Sequence, residues 1–593
     1  WGAGGRPPPP RLFSREPARV RLRSLGISLS LPIALLAAAP APPARAAPEA
    51  LVSAAREALD RHAREPFEQQ SREAALRDLG RIGGEEAAKA VVSVLADPFE
   101  HLRDHAVSAL VAMLRGARAD ATEAWLVRAA LGRRASASAR RAAALALGTA
   151  GRARAAHALA AAAVDETDGP AAVAMCEACE RLGDAAAVDA LLPVLRSEDG
   201  RAVGAAARAL GRAGSRSAAV RKAVASTLTH RHALARAGAV DGLVAADATA
   251  LLTATPDLLR DKAIEPRIAI ADALAALSAR ERRGKAFGLL ASLLADASWR
   301  VRAAACEAAV AVWDPASIPL LLERLRLETG RLRADVLRAL RTLAGRDAGA
   351  DADLWAAWWS AAGPGFDLGP RPEPDRFGRI RRPVGPPTRG PSRGPPGETH
   401  TAAFFELPLA STRLAFLFDF SGSMRDPFDG GGGASKIDLA RREFESAAKG
   451  LGKDAVYDLF LFRYPSEFPP APRMTRALGS LSPGGETSAK RAVAWLAKEQ
   501  AVGWGAIYDG LVLCAAEEID TIVLLSDGVP SRGTYERGDR LIEELAKANR
   551  FRRVAVDTVL VGTKGADRRF MQELADATGG RFQDATKARR PGR

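Results

Sequence analysis

The sequence predicts a multidomain protein: an all-α solenoid of short repeated helices, followed by an α/β domain built on a doubly wound sheet. Three observations predict it. Residues 50–360 carry apolar positions at helical spacing, in units that resemble one another. Residues 361–402 are rich in Pro, Gly and Arg and have no periodicity, and from residue 403 short apolar runs alternate with amphipathic stretches. At 593 residues the chain is too long for one hydrophobic core. Alanine supplies much of its apolar content while aromatics make up only 5%, a composition that suits helices packed closely through small side chains.

Ahead of the array, Arg21 and Arg23 precede the apolar run Leu25 to Ala39, which is followed by Ala44-Arg45-Ala46. A basic flank, a short apolar core and a small-x-small cleavage pattern are the parts of a secretory signal peptide, and the run is short for a membrane span. Residues 1–47 therefore read as an N-terminal extension and signal peptide. Residues 1–19 contain no methionine; one explanation is a start placed too far upstream, with initiation near Val20. The expectation is a mature chain that begins near Ala47 and is exported (periplasmic, cell-envelope or extracellular). No transmembrane span is expected in that mature chain.

The net charge is +15, yet only about a dozen of the 85 basic residues are lysine, and the arginines are scattered through helical segments. Scattered arginine reads as a solvated helix face, so no specific nucleic-acid surface is expected. Four cysteines are too few for a disulfide framework. Cys176 and Cys179 form a lone C-x-x-C, half the ligands of a zinc site, and read as buried core, as do Cys306 and Cys514. His101 and His105 stand at i, i+4 like a zinc-protease pair, but Leu102 occupies the position of the essential glutamate. They read as surface histidines on a helix.

Within 50–360, Val301, Ala304, Ala305, Ala308, Ala309 and Val312 repeat at helical spacing, as do Val203, Ala206, Ala207 and Leu210. Leu95-Ala96-Asp97 precedes Leu102-Arg103 with the same offset that separates Leu294-Ala295-Asp296 from Val301-Arg302. Leu147-Gly148, Leu182-Gly183 and Leu210-Gly211 recur where helix-ending glycines belong. A helix pair of this size cannot bury its own apolar face and must stack on neighbours. The units resemble HEAT repeats: an apolar helix, an Asp-containing turn, then a helix opening with Val-Arg. The resemblance implies a binding surface or a spacer. Trp355, Trp358 and Trp359 share one helical face and read as a cap over the last repeat. The Pro/Gly/Arg-rich linker at 361–402 is expected to carry few contacts, so the array and the C-terminal domain are expected to unfold independently.

From 403 to 586, strand-like runs (Leu414 to Phe418, Val456 to Phe462, Ile522 to Leu525, Val554 to Val561) alternate with helical ones such as Ile437 to Ala448 and Asp539 to Ala548. That rhythm implies a parallel sheet with helices on both faces, whose ligands sit at the C-terminal strand ends. Two loops follow strands there: Asp419-Phe420-Ser421-Gly422-Ser423 and Ser526-Asp527-Gly528. Alternate residues of a tight loop can point the same way, so Asp419, Ser421 and Ser423 can converge, with Asp527 closing the far side. Carboxylate and hydroxyl oxygens suit a hard cation such as Mg²⁺.

The run Arg413 to Met424 resembles the signature of von Willebrand factor A domains, whose D-x-S-x-S loop forms a metal-ion-dependent adhesion site. Ser526-Asp527-Gly528 is similar to the family's second acidic element, Gly503 to Leu511 to its G-G-T-N-I-Y-D-A-L segment, and Val559 to Gly562 and Leu574 to Gly580 to its last strand and helix. The resemblance covers about 412–585, in order. It implies a Rossmann-like fold and a metal held by Asp419, Ser421, Ser423 and Asp527. The serines bind directly, the aspartates often act through water, and an acidic residue of a protein partner completes the shell. One position departs from the family: Gly505 stands where the metal-site threonine belongs, and Thr487 lies before the intervening helix. Two readings stay open, a weakened Mg²⁺ site with water in the gap or a degenerate loop.

The expected function is therefore an exported, non-enzymatic binding protein that recognises a protein ligand through this metal site, with the repeats as a second surface. The alternative is a structural scaffold whose repeats do the binding. A metal-dependent hydrolase needs a general base near Asp419, and the sequence offers none. Gly430 to Lys436 fails as a phosphate loop, because Ser435 replaces the second glycine and Ile437 the Ser/Thr.

Overall fold

The computed structural model describes residues 48–61, 69–97, 99–277, 286–363, 365–382, 402–428, 433–464, 473–562 and 565–588. The signal-peptide reading, the linker beyond 382 and the glycines Gly430 to Gly432 lie outside the described residues. Among the described residues no helix is long and apolar enough to cross a membrane.

The described residues between 48 and 362 form helical repeats. One helix of each repeat stacks on its counterpart in the next, in a row that runs from Gln69–Ile82 through Glu100–Arg115, Ala137–Ala150, Gly169–Leu182, Gly200–Ala213, Ala233–Ala246, Ile264–Ala276 and Trp299–Val312 to Gly330–Ala344. Turn chemistry starts several of the helices: Ser136, Asp168, Asp184, Asp199, Ser217 and Asp247 each accept a backbone N–H of the first turn, an N-cap worth about 1 kcal/mol. Of the three Leu-Gly glycines only Gly183 ends a helix, at φ 69°. Gly148 and Gly211 lie inside helices. A Cβ on Gly148 would sit 2.8 Å from Ala178 Cα, and one on Gly211 2.2 Å from Gly242 O. Their role is close helix approach, which periodicity alone does not distinguish from capping. Trp355 is fully buried and donates to Gly349 O at 2.9 Å, with Trp358 edge-on to it, the capping role expected.

The reading of the arginines as solvated is corrected for a recurring subset. Arg72, Arg140, Arg236, Arg267 and Arg302, near the starts of stacked helices, pair with Asp97, Glu166, Asp261, Asp296 and Glu328, in the turns ahead of the next stacked helices. Their side chains are between 3% and 19% exposed. The acids also accept N–H groups of their own turns, as Asp97 does from Phe99 at 2.9 Å and Asp296 from Ser298 at 2.7 Å. Arg140 and Arg302 reach back to Ala135 O and Asp296 O as well. This geometry accounts for the repeated Asp-turn and Val-Arg pattern.

The C-terminal domain opens with a hairpin, β1 (Ala403–Phe404) and β2 (Leu407–Pro408). Its main sheet contains β3 (Arg413–Asp419), β4 (Val456–Arg463), β5 (Arg473–Arg476), β6 (Ser482–Pro483), β7 (Thr521–Ser526), β8 (Ala555–Leu560) and β9 (Phe582–Asp584). The order is β5-β4-β3-β7-β8-β9, with β6 also on β4; β4, β3, β7, β8 and β9 are parallel, and β5 and β6 are antiparallel. Side chains alternate along β3: Leu414, Phe416 and Phe418 pack with Phe404, Phe444 and Tyr457, while Ala415 and Leu417 pack with Ile507, Leu511 and Leu541. Apolar residues on both faces are what a sheet covered by helices on both sides requires. The fold is thus an all-α helical-repeat solenoid followed by a doubly wound α/β domain. The chain leaves β3 toward β4 on one side and later returns to β7 on the other, so the sheet order reverses between β3 and β7.

The expectation of few contacts between array and C-terminal domain does not hold. From Pro48 onward the chain packs as one compact unit. Successive stacked helices present Asp241, Asp272 and Glu307. Arg550 grips Asp241 at 2.6 and 2.7 Å and Asp272 at 3.1 Å, while Arg553 joins Asp272 to Glu307. Arg331 donates to the carbonyls of Asp520 and Arg553, both at 2.7 Å. The described part of the linker is fastened too: Arg379 donates to Asp576 O at 2.7 Å, Arg382 to Leu343 O at 2.9 Å, and Gly369 O accepts from Trp313 at 3.0 Å. Composition marked this segment as aperiodic, but Arg376, Arg379, Arg381 and Arg382 have carbonyl or carboxylate partners.

Candidate functional site

β3 and β7 are neighbours in register, Phe418 beside Leu525, so the residues that follow them emerge together at the point where the sheet order reverses. Asp419 is 4% exposed. Its Oδ1 accepts the Ser421 N–H at 2.9 Å and its Oδ2 the Ser526 hydroxyl at 2.8 Å. The Ser421 and Ser423 hydroxyl oxygens are 3.1 Å apart, and Ser423 donates to Asp527 Oδ1 at 3.1 Å. The structure therefore brings Asp419, Ser421, Ser423 and Asp527 together. Burial first, and the neighbouring Asp527 carboxylate second, push the Asp419 pKa up to about 6, against the hydrogen bonds from Ser421 and Ser526. The donor set is oxygen only, and the Asp527 carboxylate lies close enough to raise the cost of ionising Asp419. Both features fit a hard divalent cation.

Two parts of the site escaped sequence reasoning. Ser526 orients Asp419 from the neighbouring strand. Lys436 places its ammonium 2.6 Å from Asp527 Oδ2 and 3.2 Å from Ser423 O. Lys436 is the first residue of the helix Lys436–Gly450, where the macrodipole disfavours a cation. A lysine at a helix start 13 residues after Ser423 is the signal that could have found it.

Gly505 lies against the site as the resemblance implies. A Cβ there would be 3.2 Å from Asp419 Oδ2. Its φ is outside the left-handed region, and its N–H donates to Ser531 Oγ while its carbonyl accepts from Arg532 N. Thr487 is an exposed residue of the helix Glu486–Leu496. Gly505→Thr is expected to place a hydroxyl beside Asp419 at little backbone cost and to tighten Mg²⁺ on the order of tenfold, about 1.4 kcal/mol. Calorimetric titration of both forms checks it; unchanged affinity in a folded variant goes against it.

The four cysteines are buried and free, and burial pushes the Cys179 thiol up to about 12. They are core, as expected. His101 is corrected: it is fully buried, not on the surface, because the C-terminal domain covers that face of its helix.

No family model matches the chain, and no curated protein matches it. Among solved structures, a von Willebrand factor type A structure from Catenulispora acidiphila is similar at 16% identity and TM-score 0.24, over 30% of this chain and 39% of that one. The pilus adhesin SpaC from Lactobacillus rhamnosus GG, in an open conformation, is similar at 16% identity and TM-score 0.24, over 32% and 29%. The complex of CpcE and CpcF of phycocyanin lyase from Nostoc sp. PCC7120 is similar at 20% and 0.27, over 37% and 86%. This chain thus spans well under half of the first two. Likeness at this level carries no argument about activity, and the functional reading rests on the site's own geometry.

Proposed function

We propose that this is an exported, non-enzymatic binding protein whose C-terminal domain captures a protein partner through a divalent cation, Mg²⁺ or a similar ion. The observation that carries the reading is the convergence of Asp419, Ser421, Ser423 and Asp527 where the sheet order reverses. Asp419, Ser421, Ser423 and Asp527 would hold the ion. When bound, it supplies a positive centre that an acidic side chain of a partner can ligate. Ser526 and the Ser421 N–H fix the Asp419 carboxylate, and Lys436 offsets the charge of Asp527. The helical repeats offer a second interaction surface.

Lys436 favours a second reading, a scaffold in which its ammonium makes the loop self-sufficient and the repeats do the binding. Mg²⁺ titration of wild type, Asp419→Ala and Lys436→Met separates the two. The metal reading expects Asp419→Ala to lose Mg²⁺ binding with its circular dichroism unchanged. It expects Lys436→Met to bind about tenfold more tightly, because a competing cation is removed. Absence of Mg²⁺ binding in both wild type and Lys436→Met, with both folded, overturns the metal reading.

A further inference from the structure

Where the first repeats meet the C-terminal domain, two carboxylates and two imidazoles from three separate chain segments are packed together. Glu73 comes from the helix Gln69–Ile82, His101 and His105 from Glu100–Arg115, and Glu536 from the segment between β7 and the helix Gly538–Asn549. One donor atom each of Glu73, His101 and Glu536 lies within 4.8 Å of the others. His101 Nε2 is 3.7 Å from Glu73 Oε1, and His101 Nδ1 is 3.7 Å from Glu536 Oε1.

These are not ordinary buried hydrogen bonds. His101 is fully buried, yet neither of its ring nitrogens has a hydrogen-bond partner, and the buried Glu73 Oε1 has none either. Leaving such groups unpaired is costly in a buried site, so an arrangement that aims them at one another across non-bonded gaps points to a missing ligand. Arg532 supplies one positive charge, 3.0 Å from Glu536 Oε1 and 3.8 Å from Glu73 Oε1. His105 Nε2 lies 3.4 Å from Glu536 Oε2.

We propose that Glu73, His101 and Glu536 form a zinc-type divalent metal site that staples the start of the helical array to the C-terminal domain. Ligand atoms of a tetrahedral zinc site, each about 2.0–2.2 Å from the ion, are roughly 3.4 Å apart, so the 3.7 Å His101–Glu73 edge is already near bonded spacing. One imidazole nitrogen takes the ion. His105 steadies Glu536 from the next turn of the same helix, and water fills the remaining position. A mixed nitrogen and carboxylate set selects a borderline ion such as Zn²⁺, whereas the oxygen-only set at Asp419 selects a hard one. This inference does not depend on the proposed Mg²⁺ site.

The test is Co²⁺ titration of the metal-stripped full chain, followed by Zn²⁺. Expected are stoichiometric binding with the intense visible bands of low-coordinate Co²⁺, their loss on adding Zn²⁺, and a rise in melting temperature with Zn²⁺. His101→Asn and Glu536→Gln, tested separately, should each abolish the bands and the thermal shift, while Asp419→Ala keeps both. If His101→Asn does not fold, the near-isosteric Glu536→Gln decides alone. Absence of bands and of a thermal shift in folded wild type overturns the proposal. So do bands that persist in both variants, or that disappear only in Asp419→Ala.

Discussion

Replacing Arg550 by glutamate is expected to split the thermal transition in two, with the C-terminal domain melting apart from the array. Arg550 holds Asp241 with two hydrogen bonds and Asp272 with a third, in a contact where Asp241 is 6% exposed. Those two acids raise its pKa despite burial, so they stabilise the charged form. Breaking a buried pair by removing one partner costs about 3–5 kcal/mol, and Arg550→Glu adds a carboxylate facing two others. Wild type should show one cooperative transition by scanning calorimetry and Arg550→Glu two, with Asp241→Lys in the same chain restoring part of the coupling. A single unchanged transition in Arg550→Glu would sink the idea that this ion cluster holds the two parts together.

The second large effect is expected inside the array. Gly204 and Gly238 face one another on adjacent stacked helices: a Cβ on Gly238 would sit 2.2 Å from Gly204 O and 2.4 Å from Gly204 Cα. Those are backbone atoms, which cannot rotate aside. Gly238→Ala should therefore destabilise the chain by about 3 kcal/mol, the upper part of the usual overpacking range, although alanine is the better helix former. Gly288, in the helix Ala286–Leu294, has nothing within 4 Å of the same atom, and Gly288→Ala should stabilise by up to about 1 kcal/mol. Urea unfolding of the two variants reads opposite signs. Similar effects from both would show that helix propensity outweighs close approach at Gly238.

The strands and helices of the C-terminal domain were legible because each obeys a local rule. Leu414 to Phe418 is apolar on both faces, as a covered parallel strand must be, and it corresponds to Arg413–Asp419. Asp419, Ser421, Ser423 and Asp527 were legible from their places after two such strands. Lys436 was not, because its approach to Asp527 depends on how the helix it begins packs over the sheet. Nor were the partners of Arg550 and Arg553: Asp241 and Asp272 lie hundreds of residues away in sequence, with no periodic signature linking them. His101 was misread for the same reason, since its burial is conferred by the distant segment that carries Glu536. Gly148 and Gly211 show the converse limit, where a spacing has two physical causes and only the fold separates them.

The arginine and acid pairs that run from one repeat to the next constrain where the array can be cut. Arg302 belongs to the helix Trp299–Val312, but its carboxylate partner, Glu328, precedes the following stacked helix. A fragment ending at Val312 keeps the guanidinium and discards the acid, stranding a charge that is 19% exposed in the intact chain. The same holds for Arg267 with Asp296 and Arg236 with Asp261. Fragment boundaries that look natural at helix ends therefore leave an orphan cation at the new terminus, and well-behaved pieces should end beyond the next acidic turn.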